Sequence, residues 1–419
     1  MRIDRRTLVS GIFALPLAAP SIARAAPARV VIVGGGIGGV STARAIKRHA
    51  SSVSVTLIER NSQYHTCPFS NGVLGGLWPL ERIRFSYEKL SAAGIDVIHE
   101  TAAALDPQTR RVTLSDGRRL EADFLVLSPG IQFVWTAIEG LSETVSRVMP
   151  HGWQAGEQTT LLRDQLVAMR DGGTVVVAIP RPPFRCPPGP YERISLIAHY
   201  LKTAKPASKI IVLDAQQSFS KQDLFEEAWN TLYPGMIERL PGSASGEVLS
   251  VDPGRMRVST GFDDFAVDVA NIIPPQRAGQ IALAAGLDQG LGWCPVDPVS
   301  FESKAAPGIF ILGDAAVAGD MPKSAFAANV QAKTCADAIL ARIEGQALQP
   351  AKLINVCYSL AAPGYGFSIA DVFEPRPDKL TSVITARKTT ALKAPKETLA
   401  LEAEYAAAWF DTVTAELFG

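Results

Sequence analysis

The chain has 419 residues, 47% of them hydrophobic, with 41 basic and 41 acidic side chains. This length allows two to three domains with large cores, and the neutral charge balance excludes the strongly basic surface of a nucleic-acid-binding protein. A disordered chain is excluded as well, since only 20% of the residues are charged. No apolar run reaches the roughly 18–20 residues of a membrane-spanning helix, so we expect the body of the protein to be soluble.

Residues 1–25 have the pattern of an export signal. Arg5 and Arg6 precede the largely apolar run 8–19, and the small residues at 23–25 offer a cleavage site. Adjacent arginines in this place are typical of the bacterial twin-arginine route; an arginine pair in an ordinary secretory signal is the alternative. Either route leads out of the cytoplasm, and we expect a periplasmic protein, in a compartment where disulfides persist.

The chain after this signal begins with a nucleotide-binding pattern. Residues 29–33 are a short β-branched run, as in a buried parallel strand, and a G-x-G-x-x-G turn and a helix over 40–49 follow. A second strand over 53–58 ends in an acid twenty positions beyond the last glycine. The glycines allow a tight turn and close approach of a pyrophosphate, and the acid accepts from a ribose hydroxyl. The candidate dinucleotide-binding residues are Gly34, Gly36, Gly39, Glu59 and Arg60.

Two later segments favour FAD over NAD. Residues 309–312 are an apolar strand followed by Gly313 and Asp314. In flavoproteins with two dinucleotide domains such a Gly-Asp pair holds the ribityl chain, whereas an ordinary strand-to-loop turn is the alternative. The segment LVLSPG, which ends at Gly130, has the pattern of the strand by which the chain first leaves that domain.

The middle of the chain has lost the second glycine motif that an NAD(P)H site needs. A strand over 174–179 is followed by residues 180–190, which contain six prolines. Prolines have no N–H to offer a pyrophosphate. We therefore expect no NAD(P)H site, which also argues against an NADPH-dependent thiol–disulfide reductase.

A cysteine stands in that loop at a predicted helix start. Gly189 suits the N-cap and Pro190 the first helical position, so the positive end of the helix favours a thiolate at Cys186. Glu192 falls in the first turn of this helix. It either complements the helix dipole or accepts a proton close to a reactive sulfur.

These motifs resemble those of the flavoprotein subunit of flavocytochrome c sulfide dehydrogenases. Residues 184–193 (FRCPPGPYER) resemble the active-site loop of that family, and 64–67 (YHTC) and 355–359 (NVCYS) are similar to its flavin-attachment and second redox-cysteine segments. Residues 405–419 resemble its C-terminus. The resemblance implies an α/β fold with two Rossmann-like dinucleotide-binding domains, as in glutathione reductase, and a C-terminal α+β domain.

The motifs and the resemblance together predict the domain boundaries. The signal peptide is expected at 1–25, the FAD-binding domain at 29–145 and 275–345, a second Rossmann-like domain without its NAD site at 146–274, and a C-terminal interface domain at 346–419.

The resemblance also implies a chemistry. Cys67 would bond through sulfur to the 8α-methyl of FAD, and Cys186 and Cys357 would form a redox disulfide beside the flavin, with Glu192 near it. Hydrosulfide would attack this disulfide, and electrons would pass to FAD and then to a cytochrome c subunit in a heterodimer, giving sulfur or polysulfide. The sequence contains no Cys-x-x-Cys-His motif, so haem is expected only on that partner.

The residues alone leave several assignments open. With Cys67 used for attachment, four cysteines allow three pairings if all were bridged. Cys335, inside a helix predicted over 325–344 and stopped by Gly345, is expected to be a buried inert thiol, and Cys294 is expected to pack rather than react. Lys323 either places positive charge near the pyrimidine end of the flavin or is a solvated surface lysine.

Two other functions are alternatives. A sulfide:quinone reductase resembles this architecture but delivers electrons to membrane quinone; residues 399–418 carry only acidic charges, which anionic lipid would not attract. A membrane is therefore not required. A non-enzymatic FAD-bearing protein that binds a redox partner would use its cysteines structurally, and sulfide would not bleach its flavin. The histidines and cysteines show no metal-ligand spacing.

Overall fold

A computed structural model describes residues 26–419, apart from the side chains of residues 243 and 244. The predicted export signal, residues 1–25, lies outside the described residues. None of the helices in the described part of the chain combines the length and the hydropathy needed to cross a bilayer.

The first sheet has five parallel strands with nearly continuous apolar sequences. Its strand order is Ile309–Ile311, Phe124–Leu127, Arg29–Val33, Ser54–Ile58 and Ile95–Ile98. Ile32, Leu57 and Leu125 are fully buried, as expected for a parallel sheet covered on both faces. The sheet joins strands from both predicted parts of the FAD-binding domain.

Two helices pack against each other beside this sheet. The first helix, Ile37–His49, begins three residues earlier than predicted, because its N-cap, Gly36, is already part of the glycine turn. The returning helix, Ala325–Glu344, has the predicted bounds and ends at Gly345, whose φ of 67° is the left-handed conformation that favours glycine there.

The second sheet has four parallel strands and supports the cysteine loop. Its order is Ile237–Pro241, Lys209–Asp214, Thr174–Ile179 and Val269–Ile272. The strand predicted over 174–179 forms with those bounds, and the loop after it leads to the cysteine helix, Gly189–Ala204. The other long helices of this region are Glu157–Ala168 and Gln222–Leu232.

The C-terminal sheet is antiparallel and carries the second candidate redox cysteine. Its strands are Leu353–Ala362, Tyr365–Pro375, Leu380–Ser382 and Lys388–Thr389. The C-terminal helix, Lys396–Phe418, packs on this sheet. Its last aromatic ring, Phe418, lies 5.5 Å from the ring of Tyr64 and 5.2 Å from that of Phe85. The C-terminal helix therefore packs against the segment that precedes Cys67.

Shorter elements complete the fold. The short helices are Ser70–Leu74, Glu88–Ala92, Gly242–Ser245 and Gln280–Ala284. The small antiparallel sheets are Ala102–Asp106 with Arg111–Leu114 and Arg119–Glu121, Ser250–Asp252 with Arg257–Ser259 and Asp264–Ala266, Ile131–Phe133 with Gln276–Ala278, and Gln63–His65 with Arg84–Ser86. A parallel pair joins Cys294–Pro295 to Ala316–Val317. Two parallel sheets with helices confirm the predicted α/β class.

Candidate active site

A cavity of about 1010 Å³ lies where the first sheet, the cysteine loop and the C-terminal sheet meet. Parallel strands end at one edge of their sheet, and ligands of such folds bind in the crevice outside that edge. Most of the predicted site residues line this cavity. They are Gly34, Gly36, Glu59, Arg60, Cys67, Gly130, Cys186, Glu192, Gly313, Asp314 and Cys357.

The glycine turn has the shape that a pyrophosphate requires. A Cβ on Gly39 would collide with the carbonyl of Gly34, and one on Gly34, whose φ is +104°, would collide with the carbonyl of Ser128. A Cβ on Gly36 would have only the ring of Tyr64 near it, at 3.7 Å. Gly34 and Gly39 are therefore required by packing, whereas Gly36 keeps the backbone at the first helix open to the cavity.

Glu59 is fixed directly behind this turn. Its Oε2 accepts a hydrogen bond from the Gly35 amide at 2.8 Å, and its Oε1 accepts from the backbone and side-chain nitrogens of Asn61, both at 3.0 Å. A carboxylate at the end of the second strand, facing the cavity, is the acceptor that a ribose hydroxyl needs. The residues present thus fit the adenosine half of a dinucleotide.

Asp314 lies at another wall of the cavity. It follows Gly313, whose amide donates to Gln331 Oε1 at 2.8 Å. The Asp314 carboxylate is 3.9 Å from the Arg185 guanidinium. Burial raises the pKa of Asp314, and Arg185 and Lys323 oppose this. A half-buried carboxylate that lines the cavity fits the predicted acceptor for a ribityl chain.

Cys67 is presented to the cavity by a short, well-bonded segment. Its Sγ lies 3.8 Å from the carbonyl oxygen of Trp153, and its own carbonyl accepts from the hydroxyl of Ser70 at 2.7 Å. The amide of the preceding residue, Thr66, donates to Ile83 at 2.9 Å. The sulfur thus shares the cavity with the glycine turn, while its bond to flavin stays a prediction.

Cys186 occupies an unusual backbone conformation, with a φ of +55°. Its amide donates to the carbonyl of Lys323 at 2.7 Å and its carbonyl accepts from Gly189 at 2.8 Å. The helix begins one residue earlier than predicted, with Pro188 rather than Gly189 as N-cap. Burial raises the pKa of the Cys186 thiol, and Cys357 and Glu192 act in the same direction. The helix end alone therefore does not make Cys186 acidic.

Cys357 lies opposite Ile369 in the C-terminal sheet. Its Sγ accepts a hydrogen bond from Asn355 Nδ2 at 3.2 Å. Cys186 and Cys357 line the same cavity, and both are free thiols, as are Cys67, Cys294 and Cys335.

Glu192 is a half-buried carboxylate that joins three parts of the fold. Its Oε2 accepts from Asn71 Nδ2 at 2.7 Å, and its Oε1 accepts from the amide of Leu360 at 3.0 Å. Burial raises the pKa of Glu192, and these two hydrogen bonds together with Lys221 and Arg193 oppose it. A role limited to complementing the helix dipole would not require these contacts.

Lys323 is not a solvated surface lysine, and its placement of positive charge near the flavin stays a prediction. Its ammonium donates to the carbonyls of Asp314 and Ala316 at 2.8 and 2.7 Å and lies 4.0 Å from the centre of the Trp293 ring. Burial lowers its pKa to about 8. It is neither a solvated surface lysine nor one of the residues that line the cavity, because its side chain folds back onto the Asp314 turn.

Cys294 and Cys335 have the environments predicted for them. Both are fully buried. Burial raises the pKa of the Cys294 thiol to about 12, and it raises that of Cys335. Neither residue lines the cavity, in keeping with packing roles.

Two buried cations of this site were not predicted. Arg193, 1% exposed, donates to Asn71, to Asn271 and to the carbonyls of His151 and Gly152. Lys221 donates to the carbonyl of Cys357 and to Ser359 Oγ, both at 2.7 Å. Lys221 lies in a polar stretch with no local signal of function.

A third cation, Arg185, could have been found from the sequence. It directly precedes the candidate reactive cysteine, and thiolates favour cationic neighbours. Its guanidinium donates to the carbonyl of Trp153 and faces Asp314 in the cavity.

Across residues 26–419, no three or more histidine, cysteine, aspartate or glutamate side chains are grouped so as to hold a metal ion.

Family models match three stretches of the chain. Residues 159–274 match the central region of the sulfide dehydrogenase [flavocytochrome c] flavoprotein chain, and 349–418 match the flavin-binding region of flavocytochrome c sulphide dehydrogenase. Residues 28–170 match the pyridine nucleotide-disulphide oxidoreductase family. Residues 28–170 include most strands of the first sheet, 159–274 include the second sheet, and 349–418 include the C-terminal sheet.

Individual relatives agree with these matches. A sulfide dehydrogenase [flavocytochrome c] flavoprotein chain of Chlorobaculum thiosulfatiphilum is 56% identical over 45 residues, which are 11% of this chain and 94% of that sequence. The mitochondrial sulfide:quinone oxidoreductase of Mus musculus is 22% identical over 318 residues, 73% of this chain and 68% of the relative.

Among solved structures, the sulfide:quinone oxidoreductase of Aquifex aeolicus has a similar fold, with a TM-score of 0.71 and 18% identity, covering 93% of this chain and 92% of that one. The site therefore lies in the fold of a flavoprotein with two dinucleotide domains. The chain belongs to the flavocytochrome c sulfide dehydrogenase flavoprotein family, in the branch of these flavoproteins that also contains the sulfide:quinone reductases.

Proposed function

We propose that this chain is the FAD-bearing subunit of a periplasmic sulfide dehydrogenase that passes electrons to a cytochrome c. One observation carries the proposal: Cys186, Cys357 and Glu192 line the same cavity as Cys67 and the glycine turn. A dinucleotide, an attachment sulfur, a dithiol and a proton acceptor can therefore meet in a single site. This is the set of groups that oxidation of a sulfur anion requires.

The chain's own residues perform the sulfur chemistry. With Cys186 and Cys357 oxidised to a disulfide, hydrosulfide attacks one sulfur and leaves a persulfide on it and a thiolate on the other. A second hydrosulfide takes the sulfane sulfur away as hydrogen disulfide, which leaves both cysteines reduced. Reforming the disulfide releases two electrons, and Glu192 is placed to take up a proton from a thiol at this stage. FAD held by the glycine turn, Glu59 and Asp314 would supply an acceptor for two electrons that can also give them up one at a time.

Covalent attachment at Cys67 is part of the proposal. The Cys67 sulfur lies in the cavity that contains the glycine turn and Asp314. A covalent bond would keep the cofactor in place outside the cytoplasm, where lost FAD is not replaced. Pro68, directly after it, is the one local departure from the pattern that the resemblance implies.

The electron acceptor is proposed from the relatives. The matched Chlorobaculum protein is named as a flavocytochrome c chain, which supports a haem partner that receives electrons one at a time. The mouse and Aquifex relatives are named for quinone, so sulfide:quinone oxidoreduction is the second candidate. Export rests on Arg5 and Arg6, and a periplasmic protein that begins at Ala26 would support it.

The decisive experiment is an anaerobic titration of the FAD-loaded protein with hydrosulfide, followed by the flavin absorbance. We expect sulfide alone to bleach the flavin, NADH to leave it unchanged, and Cys357→Ser to stay yellow in the presence of sulfide. Cys294→Ala, a change of a buried cysteine outside the cavity, is the matched control and should bleach like the wild type.

The outcomes separate the candidates. Reoxidation by a soluble c-type cytochrome, but not by a short-chain ubiquinone, supports the dehydrogenase, and the reverse pattern supports the quinone reductase. A flavin that sulfide leaves unchanged in the wild type would refute both. Sustained turnover by Cys357→Ser would refute the disulfide step.

A further inference from the structure

The two sulfurs of the Cys186–Cys357 pair have unlike surroundings. Cys357 Sγ accepts a hydrogen bond from Asn355 Nδ2 at 3.2 Å. The Asn355 amide is oriented by Ser324, whose hydroxyl donates to Asn355 Oδ1 at 2.6 Å while it accepts from the amide of Ala327 at 3.0 Å. Because the oxygen of Asn355 is used by Ser324, its NH₂ group must face the sulfur.

A buried cation stands behind the same cysteine. Lys221 is 9% exposed, and its ammonium donates to the carbonyl of Cys357 and to Ser359 Oγ, both at 2.7 Å. The rings of Phe367 and Phe225 lie 5.4 and 6.0 Å from the nitrogen. In surroundings of this kind an ammonium acts strongly on a nearby sulfur, because little water screens it.

The surroundings of Cys186 are less favourable to an anion. Its amide is already used by the carbonyl of Lys323, and Glu192 lies close enough to raise the pKa of its thiol. Arg185 and Lys221 oppose this rise, but Arg185 is itself paired with Asp314. Cys357 thus has a side-chain hydrogen-bond donor to its sulfur and a lysine bonded to its own carbonyl, whereas the cations near Cys186 are held by Asp314 or by the carbonyl of Cys357.

On the basis of the proposed sulfide chemistry, we propose that Cys357 is the sulfur that carries the thiolate when the pair opens, with Lys221 and Asn355 as its positioning residues. Hydrosulfide then attacks Cys186. A bond forms between the hydrosulfide sulfur and Cys186 Sγ, the Cys186–Cys357 bond breaks, and its electron pair leaves on Cys357 Sγ. The products are a Cys186 persulfide and a Cys357 thiolate with an unchanged total charge. The better-stabilised thiolate is the better leaving group.

The charge of Lys221 sets the pH range of this effect. The groups that face Lys221 are Cys357 on the C-terminal sheet, Cys186 and Glu192 at the start of the cysteine helix, and Glu402 on the C-terminal helix. Burial lowers the pKa of Lys221 to about 8, and these four groups oppose the fall. Lys221 is therefore charged at pH 7, and its support for the thiolate is lost as the pH rises above about 8.

The test is the pH dependence of thiol alkylation in the FAD-loaded protein, reduced anaerobically and treated with iodoacetamide. Mass spectrometry separates the peptides that contain Cys186 and Cys357. We expect Cys357 to be alkylated at least about ten times faster than Cys186 at pH 7, because the better-stabilised thiolate forms more readily. Lys221→Met should slow the alkylation of Cys357 about tenfold at pH 7, and Lys221→Arg should restore most of the rate.

Lys205→Met is the matched control. Lys205 is 8% exposed and donates to carbonyls of Val167 and Met169 at the far end of the cysteine helix. This variant loses a buried ammonium without losing a neighbour of the cysteines, so its alkylation profile should equal that of the wild type. Should Lys221→Met fail to fold, the order of the two cysteines in the wild-type protein still decides the question.

A second measurement locates the persulfide. One equivalent of hydrosulfide added to the oxidised protein, followed by alkylation, should place the extra sulfur on the Cys186 peptide. An extra sulfur on Cys357, or faster alkylation of Cys186 than of Cys357, would overturn this inference and leave the sulfide dehydrogenase proposal intact. A disulfide that does not react with hydrosulfide would refute the proposed function, while the alkylation order would still test Lys221 and Asn355.

Discussion

At the scale of single residues, the candidate site depends on charged side chains that are largely removed from water. Glu192 is tied to Asn71 and to the Leu360 amide, so its carboxylate cannot turn away from the cysteines. Burial raises its pKa above the ordinary value for glutamate. A carboxylate with a raised pKa is a stronger base once ionised, as a proton acceptor beside a thiol needs to be.

Replacing Glu192 by glutamine should therefore slow flavin reduction by sulfide about 100-fold. In the wild type we expect the rate to rise with pH through the raised pKa of Glu192, because only the ionised carboxylate accepts a proton. Glu192→Gln should lose the part of this rise that belongs to the carboxylate and keep only the part that follows the ionisation of hydrogen sulfide itself. Stopped-flow flavin absorbance between pH 4 and 8 measures it, with the exposed Glu397→Gln as the control, which should keep the wild-type profile. An identical pH profile in Glu192→Gln would remove this residue from the chemistry.

Cys67 gives a second prediction at this scale. If its sulfur is bonded to FAD, acid-precipitated wild-type protein stays yellow, whereas Cys67→Ser releases its flavin into the supernatant. We expect Cys67→Ser to fold and to bind FAD non-covalently through the glycine turn. Fluorescence of the protein band on a denaturing gel distinguishes the two, and Cys335→Ala is the control that should keep its flavin. Flavin lost from the wild type under these conditions would contradict attachment.

At the scale of elements, one strand and two helices show how far the local sequence predicts where an element begins and ends. The strand Arg29–Val33 and the returning helix Ala325–Glu344 form with the predicted bounds, because apolar periodicity and end signals such as Gly345 are local properties. The start of the cysteine helix was predicted one residue late. In a proline-rich stretch a helix can begin at several residues. Tertiary contacts, such as the hydrogen bond from the Cys186 amide to the Lys323 carbonyl, select one of them.

Two glycines of the glycine turn have different roles: Gly39 is needed for folding, and Gly36 is needed for FAD binding. Gly36→Ala should leave the stability of the FAD-free protein unchanged, since only Tyr64 lies near the added methyl, yet weaken FAD binding at least about tenfold by blocking the phosphate approach. Gly39→Ala should destabilise the fold itself, because its methyl meets the carbonyl of Gly34. Thermal unfolding without FAD and flavin titration measure the two effects. Equal FAD affinity in Gly36→Ala would exclude a phosphate at this turn.

At the scale of the whole molecule, long-range contacts hold the site, and these were not predictable. Arg193 joins Asn71, Asn271 and the segment at His151, residues that are distant in sequence. Lys221 meets Cys357 across 136 positions. No periodicity or spacing reports such pairs, so the residue types of the site were predictable from motifs, whereas its buried cations were not.

His151 makes the stability of the molecule depend on pH. It is packed against the rings of Phe133 and Trp135, its Nδ1 accepts from the Trp153 amide at 2.8 Å, and burial lowers its pKa to about 3. Unfolding exposes the ring and restores its ordinary pKa of about 6.5. The unfolded chain thus binds one more proton between pH 6.5 and 3, and stability falls as the pH is lowered through this window.

Replacing His151 should make the free energy of unfolding less sensitive to acid. From pH 7 to pH 5, His151 should cost the wild type about 2 kcal/mol of unfolding free energy, at about 1.4 kcal/mol per pH unit below its unfolded pKa. His151→Asn keeps an acceptor for Trp153 and should lose less stability over the same interval. Denaturant unfolding at both pH values measures this, with the exposed His49→Asn as the control. Equal losses in His151→Asn and in the wild type would show that His151 does not titrate on unfolding.

The hydrogen bond from the Cys186 amide to the Lys323 carbonyl affects which parts of such a chain recombination can exchange. Cys186 belongs to the loop after the second sheet, and Lys323 to the segment that carries Asp314, whose carbonyl the Lys323 ammonium also holds. A recombination that replaced the second sheet and its loop with those of a relative would bring a foreign turn against this segment. The conformation of the cysteine, at a φ of +55°, would then lose its support. An exchange of the second sheet would therefore preserve the cysteine conformation only if the incoming loop placed a backbone amide opposite the Lys323 carbonyl.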